Sequence, residues 1–477
     1  MDPRGRRVSN TLAAFAIAMA VTDLPRTPLL AAAAPTYYAD GAPIIYDNCV
    51  SCHRPGQIAP MPLLSYEDVR PWARSIKQKV VSKEMPPWFA GAAIGQFRND
   101  LRLTAEEVNT LIMWVDTGAP EGDVADLPVL PEFVEGWSHP DGVEPDYIID
   151  MPVEVQIPAE GQLDIVNLYQ EIPFSEDRFA EALEVRPGNR KVLHHGGPYI
   201  TYFPVGTRIV DGQAVSADGT PLTRADRNTG TPRLVEGTAK LLSYVPGRGF
   251  EQHRPGTAKR IPAGSHLNWN QHYQVTGRPE TDRSSLGLWF SETEVTHEVL
   301  TLVVGQPFPT ESTETARWRF IADGEELSTP EARVVAGFGG AGRGLSVPTI
   351  PPQVNDYRVV SLTPFLASAT VFAFSPHMHL RGRSMEWTVV YPDGTTELLL
   401  RVPAYDFNWQ QHYELETPIR IPAGSVMYGV GVFDNSARNR YNPAPDREVY
   451  WAEQSWDEMY DPFIEMTIDN LDLSRTR

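Results

Sequence analysis

The sequence predicts a mainly β chain, two β-sandwich lobes preceded by a small all-α domain. A six-residue phrase, Arg260-Ile261-Pro262-Ala263-Gly264-Ser265, returns as Arg420-Ile421-Pro422-Ala423-Gly424-Ser425, each time leading into a strand-like run, which argues for a duplicated sandwich lobe. Beyond Pro120, short alternating segments are punctuated by Asp211-Gly212, Asp218-Gly219, Asp323-Gly324 and Asp393-Gly394, all hairpin signals. Before Pro120 the apolar spacing is helical instead. The 477 residues exceed what one ordinary core holds, and 43 Pro and 36 Gly spread along the chain fit many turns between short strands.

In chain order, residues 1–34 read as an export signal. Arg4, Arg6 and Arg7 supply a positive start, Thr11 to Val21 is a short uncharged apolar run, and Ala31 to Ala34 offer small residues for cleavage. That run is too short to span a bilayer as a helix, and no later segment is long and apolar enough, so the mature protein is expected to be periplasmic or secreted, with no membrane span. A formal net charge of -20 argues against nucleic acid and anionic lipid as partners, since both reward Lys and Arg.

Residues 36–122 form the expected all-α domain. Both cysteines of the chain lie in Cys49-Val50-Ser51-Cys52-His53, a spacing that lets two thiols form thioethers to a haem while the adjacent imidazole ligates its iron. Structural zinc would need further Cys or well-spaced His ligands nearby, and a thioredoxin-like pair would need strand-helix-strand surroundings. Ser65 with Asp68 opens one helix, with Val69, Trp72, Ile76 and Val80 on one face. Thr104-Ala105-Glu106-Glu107 is a capping box, followed by a stripe of Val108, Leu111, Ile112 and Val115, with Gly118 as the stop. A Met thioether is a fitting second axial ligand, and both Met85 and Met61 qualify; Met85 is favoured because Pro86 and Pro87 stiffen the backbone that follows it. The segment from about Tyr38 to Gly122 resembles a class I cytochrome c domain, and Met85 sits where that family places its distal ligand.

Residues 123–149, acidic and Pro-rich, read as a linker. The first lobe is expected over 150–310, the second over 345–477, with a connection at 311–344 that contains the Gly-rich stretch Gly337 to Gly344.

The 11 histidines cluster. His377 and His379 are at i and i+2, which on a strand project from one face and can share a metal. His194 and His195 are adjacent and would point to opposite faces of a regular strand, so a shared metal there requires a kink or bulge, which Gly196 and Gly197 would permit. His266 and His272 lie on the polar side of an alternating segment. In Trp456-Asp457-Glu458-Met459, the thioether is a soft ligand suited to Cu(I).

In order, Val192-Leu193-His194-His195, then Asn270-Gln271-His272-Tyr273 with Asp282-Arg283-Ser284, then His377-Met378-His379-Leu380-Arg381-Gly382, then Asp457-Glu458-Met459 resemble the copper type II ascorbate-dependent monooxygenases, whose known branches hydroxylate peptidylglycine and dopamine. The resemblance covers roughly Asp150 to Asp469. It implies two jelly-roll-like β-sandwich lobes, each carrying one copper ion, facing each other across an open cleft. By the same resemblance His194, His195 and His272 hold an electron-donating copper, and His377, His379 and Met459 hold the catalytic, oxygen-binding copper. The implied activity is hydroxylation of a C–H bond of a small substrate with dioxygen. Electrons would come from an external donor, ascorbate or a periplasmic redox protein, and the fused haem c offers a route for them. The alternative is a non-catalytic electron-transfer or copper-binding haem protein. Ser375 stands where the peptide-amidating branch has a carboxylate-binding Arg, which argues against peptide amidation. Asn408-Trp409-Gln410-Gln411-His412-Tyr413 echoes the segment ending in His272 but precedes its copy of the repeated phrase, so His412 reads as a decoy; His139, His253 and His297 read as surface or structural residues.

Overall fold

The computed structural model describes residues 34–475 except 92–94, 134–135, 162, 164, 223–239, 306–318, 323–348 and 453. Residues 1–33 of the expected export signal, the Asp323-Gly324 turn and the Gly337 to Gly344 stretch lie outside the described residues. The chain is mainly β, with two sandwiches and few helices. No helix among the described residues is long and apolar enough to cross a membrane.

In the first lobe one sheet runs Tyr147–Asp150, Ser285–Phe290, Arg178–Arg186, Thr257–Ile261, His297–Glu298, with Phe250–Gln252 also pairing to Arg178–Arg186. The other runs Val166–Glu171, His266–Tyr273, Leu193–Thr201. Leu183 and Leu288 from the first sheet and Leu267 and Trp269 from the second share one core. In the second lobe the sheets run Leu300–Val303, Tyr460–Ile468, Ala369–Met378, Tyr413–Ile421, and Arg319–Ala322, Tyr357–Pro364, Val426–Phe433, Gly382–Val390, Thr396–Val402. The repeated phrase does the same job in both lobes. Ile261 and Ile421 end a strand of one sheet, a turn with positive-φ Gly264 or Gly424 follows, and the next strand enters the other sheet.

Several expected boundaries move. The second lobe begins at Leu300 rather than at residue 345, because Leu300–Val303 pairs with Tyr460–Ile468 and buries Leu300 and Leu302 in the second core. Arg319–Ala322, placed by sequence in the inter-lobe connection, pairs with Tyr357–Pro364. The expected linker is partly sheet and cover: Tyr147–Asp150 is a strand, and Trp137 packs with Trp289 and Ala182 where a solvated spacer was expected.

Helices Ala42–Asn48, Ala73–Val81 and Ala105–Asp116 surround a separate small core that includes Ile45, Val69, Leu111 and Trp114. Ser65 caps its helix through the Asp68 amide, and Thr104 and Glu107 form the expected capping box. Trp72 departs from its stripe. It follows Pro71 in a 3-10 turn, where the period shortens, and is 43% exposed. Trp114, not expected in the core, is fully buried and donates to the Pro120 carbonyl. The helical unit is not self-contained: Trp88, Ala90 and Phe97 enter the core of the second lobe, where Trp88 and Phe97 meet the Tyr413 ring.

Candidate metal centre

The His377 pair is set up by a bulge. Strand Ala369–Met378 slips register between Val371 and Ala373, so Val371 points into the core before it and Phe374 and Met378 do so after it. Ser375, His377 and His379 are thereby turned to the opposite face. On the neighbouring strand His377 stands opposite Asp461 and Met378 opposite Tyr460. The ladder ends there, and Met459 and His379, the next residues along the two strands, both donate their backbone N–H groups to the Glu458 carboxylate.

Two side chains hold this corner that sequence reasoning left without a role. The Glu458 carboxylate, fully buried, accepts the backbone N–H groups of His379 at 2.9 Å, Arg381 at 2.6 Å and Met459 at 3.3 Å. Arg381 donates to the Trp456 carbonyl and to Asn435. Gly382 is required because a Cβ there would lie 2.6 Å from Cβ of Met378 and 2.8 Å from the Tyr405 ring. Glu458→Ala should orphan three amides, two of them on fully buried residues, at about 1–3 kcal/mol for each such group. The expected result, read by chemical denaturation and metal analysis, is a destabilised protein that keeps less metal at His377 and His379; wild-type stability and metal content would remove the positioning role.

The bulge needed at His194 is present. Strand Leu193–Thr201 pairs His195 with His272 but Leu193 with Tyr273, so His194 is the extra residue. Gly196 and Gly197 do a different job from the one expected, since both are in regular register; a Cβ at Gly196 would meet the Asn270 carbonyl at 2.6 Å and one at Gly197 the Leu242 carbonyl at 2.2 Å. Nδ1 of His194 lies 3.0 Å from Nδ1 of His195. Two donors each about 2 Å from one ion sit about this far apart. The His195 and His272 rings stack at 4.0 Å.

The two groups abut. His195 and His377 ring centroids are 6.4 Å apart, and the Phe407 ring packs against His194, His195, His272 and His379, which replaces the expected open cleft with a covered one. Gln410 spans the lobes: its Oε1 faces His377 Nδ1 and its Nε2 lies 3.3 Å from His195 Nε2. Donation from His377 Nδ1 to that oxygen leaves His377 Nε2 for a metal.

Burial holds all five imidazoles neutral. It pushes His194 and His377 down to about 4, and it acts together with the neighbouring rings to push His195, His272 and His379 well below the usual histidine range. Neutral imidazoles are the ligating form. Both ring nitrogens of His379 are buried and neither makes a well-formed hydrogen bond, a cost that a metal ion would remove at one of them.

In the helical unit, His53 Nδ1 lies 3.2 Å from the Met61 carbonyl, leaving Nε2 free. Cys49 and Cys52 are unpaired and half-buried, and a Cβ on Gly247 of the first lobe would stand 3.0 Å from Cys52 Sγ. Met85 is half-buried, its amide bonded to the Lys79 carbonyl. His412, read as a decoy, is buried beside Ser375, with its Nδ1 2.6 Å from the Ser375 hydroxyl. His253 has a side chain only 5% exposed.

The fold and these donors define a class: a two-lobed β protein whose lobes bring neutral imidazoles together at their boundary. Residues 354–444 match the family model of the copper type II ascorbate-dependent monooxygenase, C-terminal domain, a stretch that includes His377, His379 and Gln410. The match supports a copper-dependent monooxygenase family. No curated protein matches the chain. Among solved structures, PNGF-II is similar at 11% identity over 67% of this chain and 60% of its own, with a TM-score of 0.22. This chain thus spans about three fifths of that protein's length. An allantoicase is similar at 7% identity over 59% of this chain and 79% of its own, with a TM-score of 0.17. Similarity this slight carries no argument.

Proposed function

We propose that this chain is an exported copper-dependent monooxygenase that hydroxylates a C–H bond of a small substrate with dioxygen, drawing electrons from an external donor through a covalently attached haem. The observation that carries the reading is the convergence of five neutral histidines from two lobes, with Met459 directly before the strand that pairs with the one carrying His377. The donor sets fit two copper ions. His194, His195 and His272 would hold one, and His377, His379 and Met459 the other. Copper supplies one-electron chemistry and, when reduced at a site with a thioether, reactivity toward dioxygen.

The chain's own groups prepare that chemistry. Phe407 covers the imidazoles and excludes water, Gln410 fixes the His377 ring and ties it to His195, and Glu458 holds the backbone of His379 and Met459. Cys49, Cys52 and His53 fit haem attachment, because the Met61 carbonyl takes the Nδ1 proton and frees Nε2 for the iron. The motif also lies on a short route to the histidines. Cys52 abuts Gly247, and Tyr244, three residues before it, exchanges two backbone hydrogen bonds with Gly196, the neighbour of His195. The cover that Phe407 forms over four of the five rings favours a second reading, a non-catalytic electron-transfer or copper-binding haem protein.

Metal analysis and anaerobic reduction followed by dioxygen addition test the proposal. Two copper ions per chain and rapid reoxidation, with oxygen consumed and a hydroxylated product formed in a screen of small substrates, are expected. Copper that stays at one equivalent or below, or a haem that cycles without consuming oxygen above background, overturns the enzyme reading.

A further inference from the structure

A second buried cluster lies at the lobe boundary on the same face of the second lobe as His377. Along strand Tyr460–Ile468, Asp461, Phe463 and Glu465 alternate toward that face while Tyr460, Ile464 and Met466 enter the core. Glu465 stands beside His412, which directly precedes strand Tyr413–Ile421. From the first lobe come Glu251, on strand Phe250–Gln252, and His253, two residues on. Each lobe thus contributes one imidazole and one carboxylate.

Their donor atoms converge without satisfying one another. Ligand atoms of Glu251, His412 and Glu465 all lie within 4.8 Å of each other, and His253 Nε2 is 3.9 Å from Glu251 Oε1. Glu251 Oε1, His253 Nε2 and His412 Nε2 are buried and have no hydrogen-bond partner. His412 Nε2 and Glu465 Oε2 are 3.6 Å apart, beyond hydrogen-bond range. A cavity of about 30 Å³ lies against Glu251, His253 and Glu465. The remaining atoms are already engaged in ways that aim these lone pairs inward. Arg248 binds Glu251 at 3.2 Å and Glu414 at 3.0 Å, Lys259 binds Glu465 Oε1 at 2.7 Å, and Ser375 lies 2.6 Å from His412 Nδ1.

A proton on Glu251 would neutralise that carboxyl yet leave both imidazole nitrogens unpaired. A cation held by Glu251, His412 and Glu465 satisfies Glu251 Oε1 and His412 Nε2 together, and His253, 3.9 Å from Glu251 Oε1, stands beside it as the fourth donor. We propose that Glu251, His253, His412 and Glu465 form a third metal site, for a divalent cation of the zinc class, which clasps the two lobes. Two imidazoles disfavour magnesium and calcium, which prefer all-oxygen shells, and the absence of sulfur from the donor set disfavours Cu(I). Such a clasp has a purpose here, since both cysteines belong to the helical unit and no disulfide joins the lobes.

The test uses the full-length protein with its copper sites already filled, titrated with Co2+ as a spectroscopic probe. One further Co2+ per chain is expected, with visible d–d absorption, an X-ray absorption shell of nitrogen and oxygen that includes two imidazoles, and a raised melting temperature. Glu251→Gln keeps the shape of the side chain and should weaken Co2+ by at least about 100-fold, the upper end of the loss caused by removing even an outer-sphere partner, with copper content unchanged. Met459→Ala should still bind Co2+, which separates failure of this site from failure of the copper assignment. No Co2+ beyond the copper sites, or unchanged affinity in Glu251→Gln, overturns the proposal. If Glu251→Gln does not fold, the Co2+ shell of the unmutated protein decides, and a shell with sulfur or without imidazole overturns it.

Discussion

Replacing Met459 by alanine is expected to abolish Cu(I) binding at His377 and His379, and with it any oxygen consumption, while copper at His194, His195 and His272 stays. The size of the effect follows from softness. Two imidazoles bind many divalent ions, but a thioether is the ligand that selects the reduced metal. The chain supplies the proximity, since Met378 pairs with Tyr460 and the Glu458 carboxylate accepts the backbone N–H groups of both His379 and Met459. Met466 is the control, seven residues on and of opposite parity. It is fully buried, pairs with Val371 and Leu300 and belongs to the core of the second lobe. Met466→Ala should cost about 2–5 kcal/mol in stability and leave copper stoichiometry alone. X-ray absorption of the reduced protein separates the two residues. Copper–sulfur scattering that survives in Met459→Ala, or disappears in Met466→Ala, would place the ligand elsewhere and sink the site.

Much of this arrangement was legible because it depends on period and turn chemistry. The Asp211-Gly212 dipeptide makes the hairpin between Arg208–Val210 and Gln213–Val215 with positive φ at both residues, and the repeated Arg-Ile-Pro-Ala-Gly-Ser phrase marks the same sheet-to-sheet turn in each lobe. The bulge at His194 was foreseeable, since adjacent residues on a regular strand cannot share a face. What could not be read from sequence depends on contacts between distant segments. The repeated turn does not repeat the site: His194 and His195 lie on a strand that pairs with the one after that turn, whereas His377 lies on, and His379 just beyond, a strand that pairs with the one before it. His253 matches no motif and His412 read as a decoy, and only the docking of one lobe on the other brings them together. Trp88 and Phe97 read as part of a helical domain until the fold places them against Tyr413.

Changing Cys49 and Cys52 together to serine is expected to leave no covalent haem, so that denatured protein loses all haem absorption, while the two β lobes, whose cores include neither cysteine, keep their copper. In the unmutated protein acid-acetone extraction should release none; release of all the haem overturns covalent attachment. The Met61 carbonyl takes up the Nδ1 edge of His53, opposite the Nε2 that would hold a haem iron, whereas Met85 stands on the separate segment between helix Ala73–Val81 and the Trp88 anchor, so Met85 is the residue that would supply a second ligand to the group. Met85→Ala should therefore lower the haem potential and open the iron to added ligands, whereas Met61→Ala should leave both unchanged. Unaltered spectra in Met85→Ala with a lowered potential in Met61→Ala would reverse the assignment. Because Cys52 meets the first lobe at Gly247, two positions from the Val245 that follows Tyr244, the double serine variant should also slow reduction of copper by an external donor, measured by stopped-flow absorbance.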